Sequence, residues 1–306
     1  MVGNPPGAGE SATTEVAPTT SLPRTRGRGR RVWLIAGAVL LVVLLVIVYL
    51  AMGASAAGGS VHRADRALKT TLDHQETVNG TLAEDVFKGI DLSSPNADLS
   101  AARAVLAKFE PRVSQAMALV KADRAALAQE RPGLQGSALT LPEGGALERE
   151  RKRVDAANVA LISASLALGY DRQQADFLHP FFDTFAQLQT IEKTSQGGNL
   201  AGMLAQINTA SDSLQKSMAL AKPPAIPVQV LEELQTLRSL LDDVKSLLTA
   251  AQAHDFAAVQ KWSAAADADA NRLSSYDSAA VDTADKALFQ PLSDEYRSQM
   301  KIAAGD

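Results

Sequence analysis

Apolar residues recur at helical spacing over most of the chain beyond residue 60. In the clearest case the intervals alternate between four and three residues, at Val230, Leu234, Leu237, Leu241, Val244, Leu248 and Ala251. Charged residues such as Glu232 and Asp242 fall outside this stripe. An average spacing of 3.5 residues is typical of helices that pack along a seam, as in a coiled coil. The pattern therefore predicts an amphipathic helix with one buried face.

The same spacing predicts further helices on both sides of this segment. Apolar residues recur over 99–120 and 200–218, and at every seventh position of the longest candidate, 146–193, at Leu147, Val154, Leu161, Leu168, Ala175 and Phe182. Breaks rich in Pro and Gly separate these segments, and Asp98, Asn199 and Asp255 stand where N-cap residues are preferred. We expect Pro111 to bend or interrupt its helix and Pro180 to kink the longest one.

These segments predict an all-α fold without strands. Six or seven helices joined by short loops favour an elongated antiparallel helical bundle over residues 61–306. A single transmembrane helix precedes it at 32–52, where 21 consecutive residues carry no charge and 14 are Val, Leu or Ile. At 1.5 Å per residue this run spans about 30 Å, the thickness of a bilayer hydrocarbon core.

The flanks of this run predict its orientation. Five arginines precede it, and Trp33 and Tyr49 lie near its ends, where aromatic side chains prefer the membrane interface; the arginines are Arg24, Arg26, Arg28, Arg30 and Arg31. The positive-inside rule places residues 1–31 in the cytoplasm as a disordered tail. The uncharged residues 53–60 then form a flexible linker. We therefore expect a single-pass cell-membrane protein whose C-terminal domain is extracytoplasmic.

A cleaved signal peptide is the alternative to an uncleaved membrane anchor. Ala54, Ser55 and Ala56 match the small-residue pattern of a cleavage site. The apolar run is longer than the 7–15 residues typical of a signal peptide, which favours the anchor.

Charge and residue content exclude several classes of function. Of the 30 basic and 34 acidic residues, 25 and 32 lie in residues 53–306, so this part carries a net charge of −7. Such a domain is a poor partner for nucleic acid. The chain has no Cys, its four His residues are scattered, and it lacks the phosphate-binding and nucleophile motifs of common enzymes. We expect a protein that is not an enzyme and has no cofactor or metal site.

One segment departs from the average composition. Four of the eight Phe residues fall within 177–185, and Phe177, Phe181 and Phe185 share one helical face beside Phe182. These rings would pack as a core plug or line an apolar pocket, with His179 and Asp183 as its polar pair. We expect the plug, and we keep the six residues as the candidate ligand or partner site.

The sequence thus favours a non-enzymatic interaction or structural module at the cell envelope. Its expected partners are the lipid bilayer and an envelope protein. The alternative is a membrane-tethered, sensor-like ligand-binding ectodomain with an aromatic pocket near 177–185.

Overall fold

The computed structural model describes residues 28–84, 86, 98–136, 144–195 and 198–305. These residues form eight α-helices and no strand, which confirms the all-α class. The helices are α1 (Arg28–Asp73), α2 (Gln75–Leu82), α3 (Leu99–Glu130), α4 (Gly144–Ser195), α5 (Leu200–Leu220), α6 (Val228–Gln252), α7 (Phe256–Ser274) and α8 (Ser278–Ala304). A short 3-10 turn, Arg131–Leu134, follows α3.

The chain divides into two units, Met1–Ala51 and Met52–Asp306. In the first unit the described residues are the beginning of α1. The second unit contains the rest of α1 and seven further helices, α2 to α8, within its described residues. The predicted six to seven helices therefore agree with the structure.

The apolar part of α1 is exposed. From Leu41 to Met52 the large apolar side chains and Tyr49 are between 41 % and 64 % accessible. Among the described residues, one helical stretch, Leu41–Leu82, has the length and the apolar composition that crossing a membrane requires. Transfer of such apolar surface out of water is favourable.

The predicted flexible linker at 53–60 is wrong as secondary structure. Helix α1 continues through these residues to Asp73. Ala57 and Ser60 are buried, so this part of α1 has two small side chains in the core. Burial of this face offsets the unfavourable helix propensity of Gly58 and Gly59.

Helix α4 is the centre of the second unit, where it packs against α3, α5 and α8. Three side-chain contacts join α4 to α3 and to the 3-10 turn after it, and they run in opposite chain order: Arg103 to Asp183, Glu110 to His179, and Arg131 to Asp155. Helices α3 and α4 are therefore antiparallel. Small side chains on α4, including Ala157, Ala160, Ala164 and Ala167, are fully buried and let its neighbours approach closely.

The predicted N-caps are confirmed. The side chains of Asp98, Asn199 and Asp255 accept hydrogen bonds of 2.9–3.0 Å from the backbone N–H groups three residues on, at Ala101, Gly202 and Ala258. Each cap satisfies one of the free N–H groups of a first helical turn. These three residues therefore determine where α3, α5 and α7 begin.

Neither Pro111 nor Pro180 ends its helix. Pro111 lies inside α3 and Pro180 inside α4, and both helices continue past them. Pro111 was expected to bend or interrupt its helix, and of these two alternatives the interruption is wrong. Pro111 is exposed, so water can hydrate the carbonyl that lacks its N–H partner, and the Arg112 side chain donates to the neighbouring Lys108 carbonyl at 3.1 Å.

Candidate functional site

The Phe-rich segment of α4 packs largely into the core. Phe177 and Phe182 are at most 1 % exposed, and Phe181 and Phe185 are partly buried against the same core. The rings of Phe177 and Phe181 stack with centroids 5.2 Å apart, and those of Phe181 and Phe185 meet edge to face at 4.9 Å. This is the close packing that a core plug requires.

The two polar residues of this segment face α3 at the surface. His179 Nε2 lies 2.7 Å from Glu110 Oε1, and Asp183 accepts a hydrogen bond of 2.7 Å from Arg103. More than half of each of the two α4 side chains is exposed. Both residues link α4 to α3, and the cavities described below are lined by other residues. A ligand or partner site at 177–185 stays a prediction.

The residues predicted to set membrane topology lie at the start of the chain. Arg24 and Arg26 fall outside the described residues. Arg28, Arg30, Arg31 and Trp33 belong to the first turns of α1. Tyr49 is 41 % exposed on the same helix.

A cavity of about 240 Å³ lies where α6, α7 and the start of α8 meet. The amphipathic pattern of α6 places its polar face here, and the turn between α7 and α8 closes one side. The cavity is lined by Gln229, Glu232, Glu233, Thr236, Arg272, Leu273, Tyr276, Asp277 and Ala280.

Glu233 is the electrostatically unusual residue of this cavity. Burial raises the pKa of its carboxyl group from 4.5 to about 7, although a hydrogen bond with Tyr276 lowers it. Burial, and secondly the charge of Glu233, raise the pKa of the Tyr276 hydroxyl. Near neutral pH the cavity therefore holds a carboxyl group that exchanges a proton readily.

A second cavity, of about 490 Å³, lies between α2, α4 and α8. Its charged lining residues are mainly acidic, with Glu84, Asp171, Asp282, Asp285 and Asp294 against Lys286 and Arg297. Gln174 crosses its inner wall and donates hydrogen bonds to Asp285 at 2.8 Å and to the Ala225 carbonyl at 3.0 Å. These bonds join α4 to α8 and to the turn before α6, so much of this polar lining already has structural partners.

The sequence did not predict a contact between a histidine and a buried carboxylate. Asp123 of α3 is 3 % exposed, and both of its carboxylate oxygens lie 3.1 Å from Nδ1 of His74, at the break between α1 and α2. Tyr296 of α8 is also buried, and burial and the charge of Asp123 raise the pKa of its hydroxyl. The spacing of the sequence could have indicated this contact, because Asp123 occupies a position of the apolar stripe between Val120 and Leu127 and is therefore expected to face the core. The group links α3 to the α1–α2 break.

One face of the α3–α4 pair exposes apolar side chains. Val159, Ile162 and Leu166 of α4 are 39–45 % exposed at helical spacing. Beside them a groove of about 500 Å³ is lined by Met117, Ala118, Lys121, Arg124, Ala125, Ala128, Asn158 and Ser165. Exposed apolar side chains at helical spacing make this face a candidate partner surface. We call the face formed by Val159, Ile162, Leu166 and this groove the α3–α4 face.

The comparisons with known proteins give no relative: no family model, curated protein or solved structure matches the chain. The interpretation of these sites therefore rests on their own geometry and chemistry.

Proposed function

We propose that the chain is a single-pass membrane protein that acts as a non-enzymatic interaction or structural module at the cell envelope. The proposed arrangement has residues 1–31 in the cytoplasm and an antiparallel helical bundle outside. The observation that carries the proposal is the stretch from Leu41 to Met52, whose large apolar side chains are exposed. A bilayer is the apolar environment that this surface requires.

The bilayer is the first proposed partner and an envelope protein is the second. The α3–α4 face supports the second partner, because Ile162 and its neighbours expose apolar surface beside the cationic side chains of Lys121 and Arg124. Neither Lys121 nor Arg124 forms an ion pair within the described part of the chain. Two available cations on a domain of net negative charge favour an acidic rim on the partner.

Membrane attachment is tested by fractionation. The full chain should stay in the membrane pellet after an alkaline carbonate wash, whereas a variant lacking residues 32–52 should leave the pellet. Mass spectrometry of the purified protein should find residues 1–56 still attached. A soluble species that begins near Ala57 would contradict the membrane anchor and support signal-peptide cleavage.

The interaction role is tested with a photo-crosslinking amino acid placed at single positions. At Ile162 we expect discrete crosslinked adducts in intact cells. Gln235, an exposed residue of α6, is the matched control and should give none. Equal yields at both positions, or no adduct at Ile162, would refute an interaction surface on the α3–α4 face.

A further inference from the structure

Helix α5 covers one side of α4 over its C-terminal part only. The Gln206 amide donates a hydrogen bond of 3.0 Å to the Thr194 hydroxyl, near the end of α4. The other end of the contact is a hydrogen bond of 2.9 Å from the Gln173 amide to the Lys222 carbonyl. The two helices are therefore antiparallel. Because the chain turns at 221–227 and returns as α6, the cover that α5 gives to α4 ends near Gln173.

The same side of α4 continues towards the N-terminus as an exposed apolar stripe. Leu166 lies seven residues before Gln173, and Ile162 and Val159 follow after further steps of four and three residues. Residues at these intervals lie on one face of an α-helix. The three apolar side chains are 39–45 % exposed. The stripe from Val159 to Gln173 is about 21 Å long at 1.5 Å per residue, and it lies in line with α5.

The α3 side of this stripe is a groove with a cationic edge. Small side chains, including Ala118 and Ala125, line the groove of about 500 Å³, and Lys121 and Arg124 lie beside them. Neither cation forms an ion pair within the described part of the chain. Carboxylates on a partner would compensate these charges. A second copy of this chain with its α4 antiparallel to this one would instead bring the two cationic edges together, and a flat bilayer surface does not match a groove.

We propose that a partner protein docks an amphipathic α-helix on this stripe, end to end with α5, and that this helix carries carboxylates on the flank that faces α3. The inference rests on the proposed interaction role of the α3–α4 face and names the kind of partner. Apolar side chains of the docked helix, spaced by three and four residues, would cover Val159, Ile162 and Leu166. Aspartate or glutamate beside them would pair with Lys121 and Arg124. A helix of about four turns matches the length of the stripe.

The docked helix is tested with a photo-crosslinking amino acid at Ile162 and, separately, at Leu166 of the full chain in intact cells. Mass spectrometry of the adducts then identifies the crosslinked residues. We expect both positions to react with one partner protein, at residues three or four positions apart in a segment rich in Asp and Glu. Bonds to scattered residues of a partner, or to a second copy of this chain, would overturn the docked helix and leave the interaction role intact. Bonds to lipid alone, or no adduct at either position, would refute both.

Charge reversal tests the acidic flank. Lys121→Glu combined with Arg124→Glu should lower the crosslinking yield at Ile162 by at least about tenfold, because like charges would then oppose each other. Lys121→Gln with Arg124→Gln should give a smaller loss. The matched control is Arg238→Glu with Lys245→Glu, which reverses two exposed cations of α6 and should crosslink as the wild type does. Circular dichroism checks that each variant is folded. An unchanged or increased yield in the groove variants would contradict an acidic partner helix.

Discussion

Truncation of Phe182 is the sharpest test of the α4 core. Its side chain is 0 % exposed, and it lies in the main hydrophobic core of the second unit. Phe182→Ala removes the ring and leaves a cavity that close-packed neighbours fill only partly, which costs about 3–5 kcal/mol of unfolding free energy. For a domain of this size the melting temperature should fall by roughly 6–20 °C. If Phe182 lined a ligand pocket, its ring would have fewer neighbours and the cost would be smaller.

The matched control is Phe256→Ala. The same atoms are removed, but Phe256 is 81 % exposed at the start of α7, so the change should be within about 0.5 kcal/mol. The assay follows helix content by circular dichroism at 222 nm during denaturation of the full chain in nanodiscs. A loss at Phe182 within 1 kcal/mol of that at Phe256 would show that the α4 core is not packed as described.

Three further changes test other parts of the molecule. On α6, Leu241→Ala should lower the free energy of unfolding by about 2–5 kcal/mol because the side chain is buried, whereas Val228→Ala, at an exposed position, should lower it little. Equal losses of unfolding free energy in chemical denaturation would refute the buried seam. Burial raises the pKa of Glu233 in the folded state from 4.5 to about 7, so the free energy of unfolding should fall as pH rises through this range. Partial exposure of the side chain limits this fall to about 1–2 kcal/mol. Glu233→Gln should remove it. A pH profile identical in wild type and variant would contradict it. The Val43→Arg variant should still pellet with membranes, because an arginine at the helix centre costs about 2.5–3.5 kcal/mol of insertion free energy, less than the apolar run gains in total. Release of this variant into the soluble fraction would refute the membrane span.

Much of the helical architecture was predictable because its determinants are local. The stripe from Val230 to Leu248 is buried except for Val244, which is partly exposed. The long helix predicted at 146–193 is α4, Gly144–Ser195. Periodicity and N-cap residues act over a few positions, so a single sequence carries their signal.

The errors in the fold arise where tertiary packing outweighs local preference. Gly58 and Gly59 predicted a linker, but burial of Ala57 and Ser60 keeps α1 helical there. The break at His74 and the turn before Asp277 carry no strong Pro or Gly signal, and neither was predicted. The first is held by a contact with Asp123, 49 residues away in sequence.

The candidate sites were less predictable than the fold, since cavities depend on which helices meet. The aromatic composition of 177–185 drew attention to a segment that the structure places largely in the core. The cavity between α6, α7 and α8 instead combines Gln229 and Glu233 with Tyr276, more than 40 residues further along the chain. No spacing rule in the sequence brings α6 and the α7–α8 turn together, so the raised pKa of Glu233 was visible only in the fold.

The proposed topology is tested most directly by labelling single cysteines. The chain has no Cys, so Ser11→Cys in the tail and Ala257→Cys on an exposed position of α7 each give one reactive thiol. The labelling reagent is a membrane-impermeant maleimide, applied to sealed right-side-out membrane vesicles. We expect Ala257→Cys to react in intact vesicles, and Ser11→Cys to react only after detergent opens them. Labelling of Ser11→Cys in intact vesicles, or protection of Ala257→Cys, would contradict a membrane-anchored domain outside the cytoplasm.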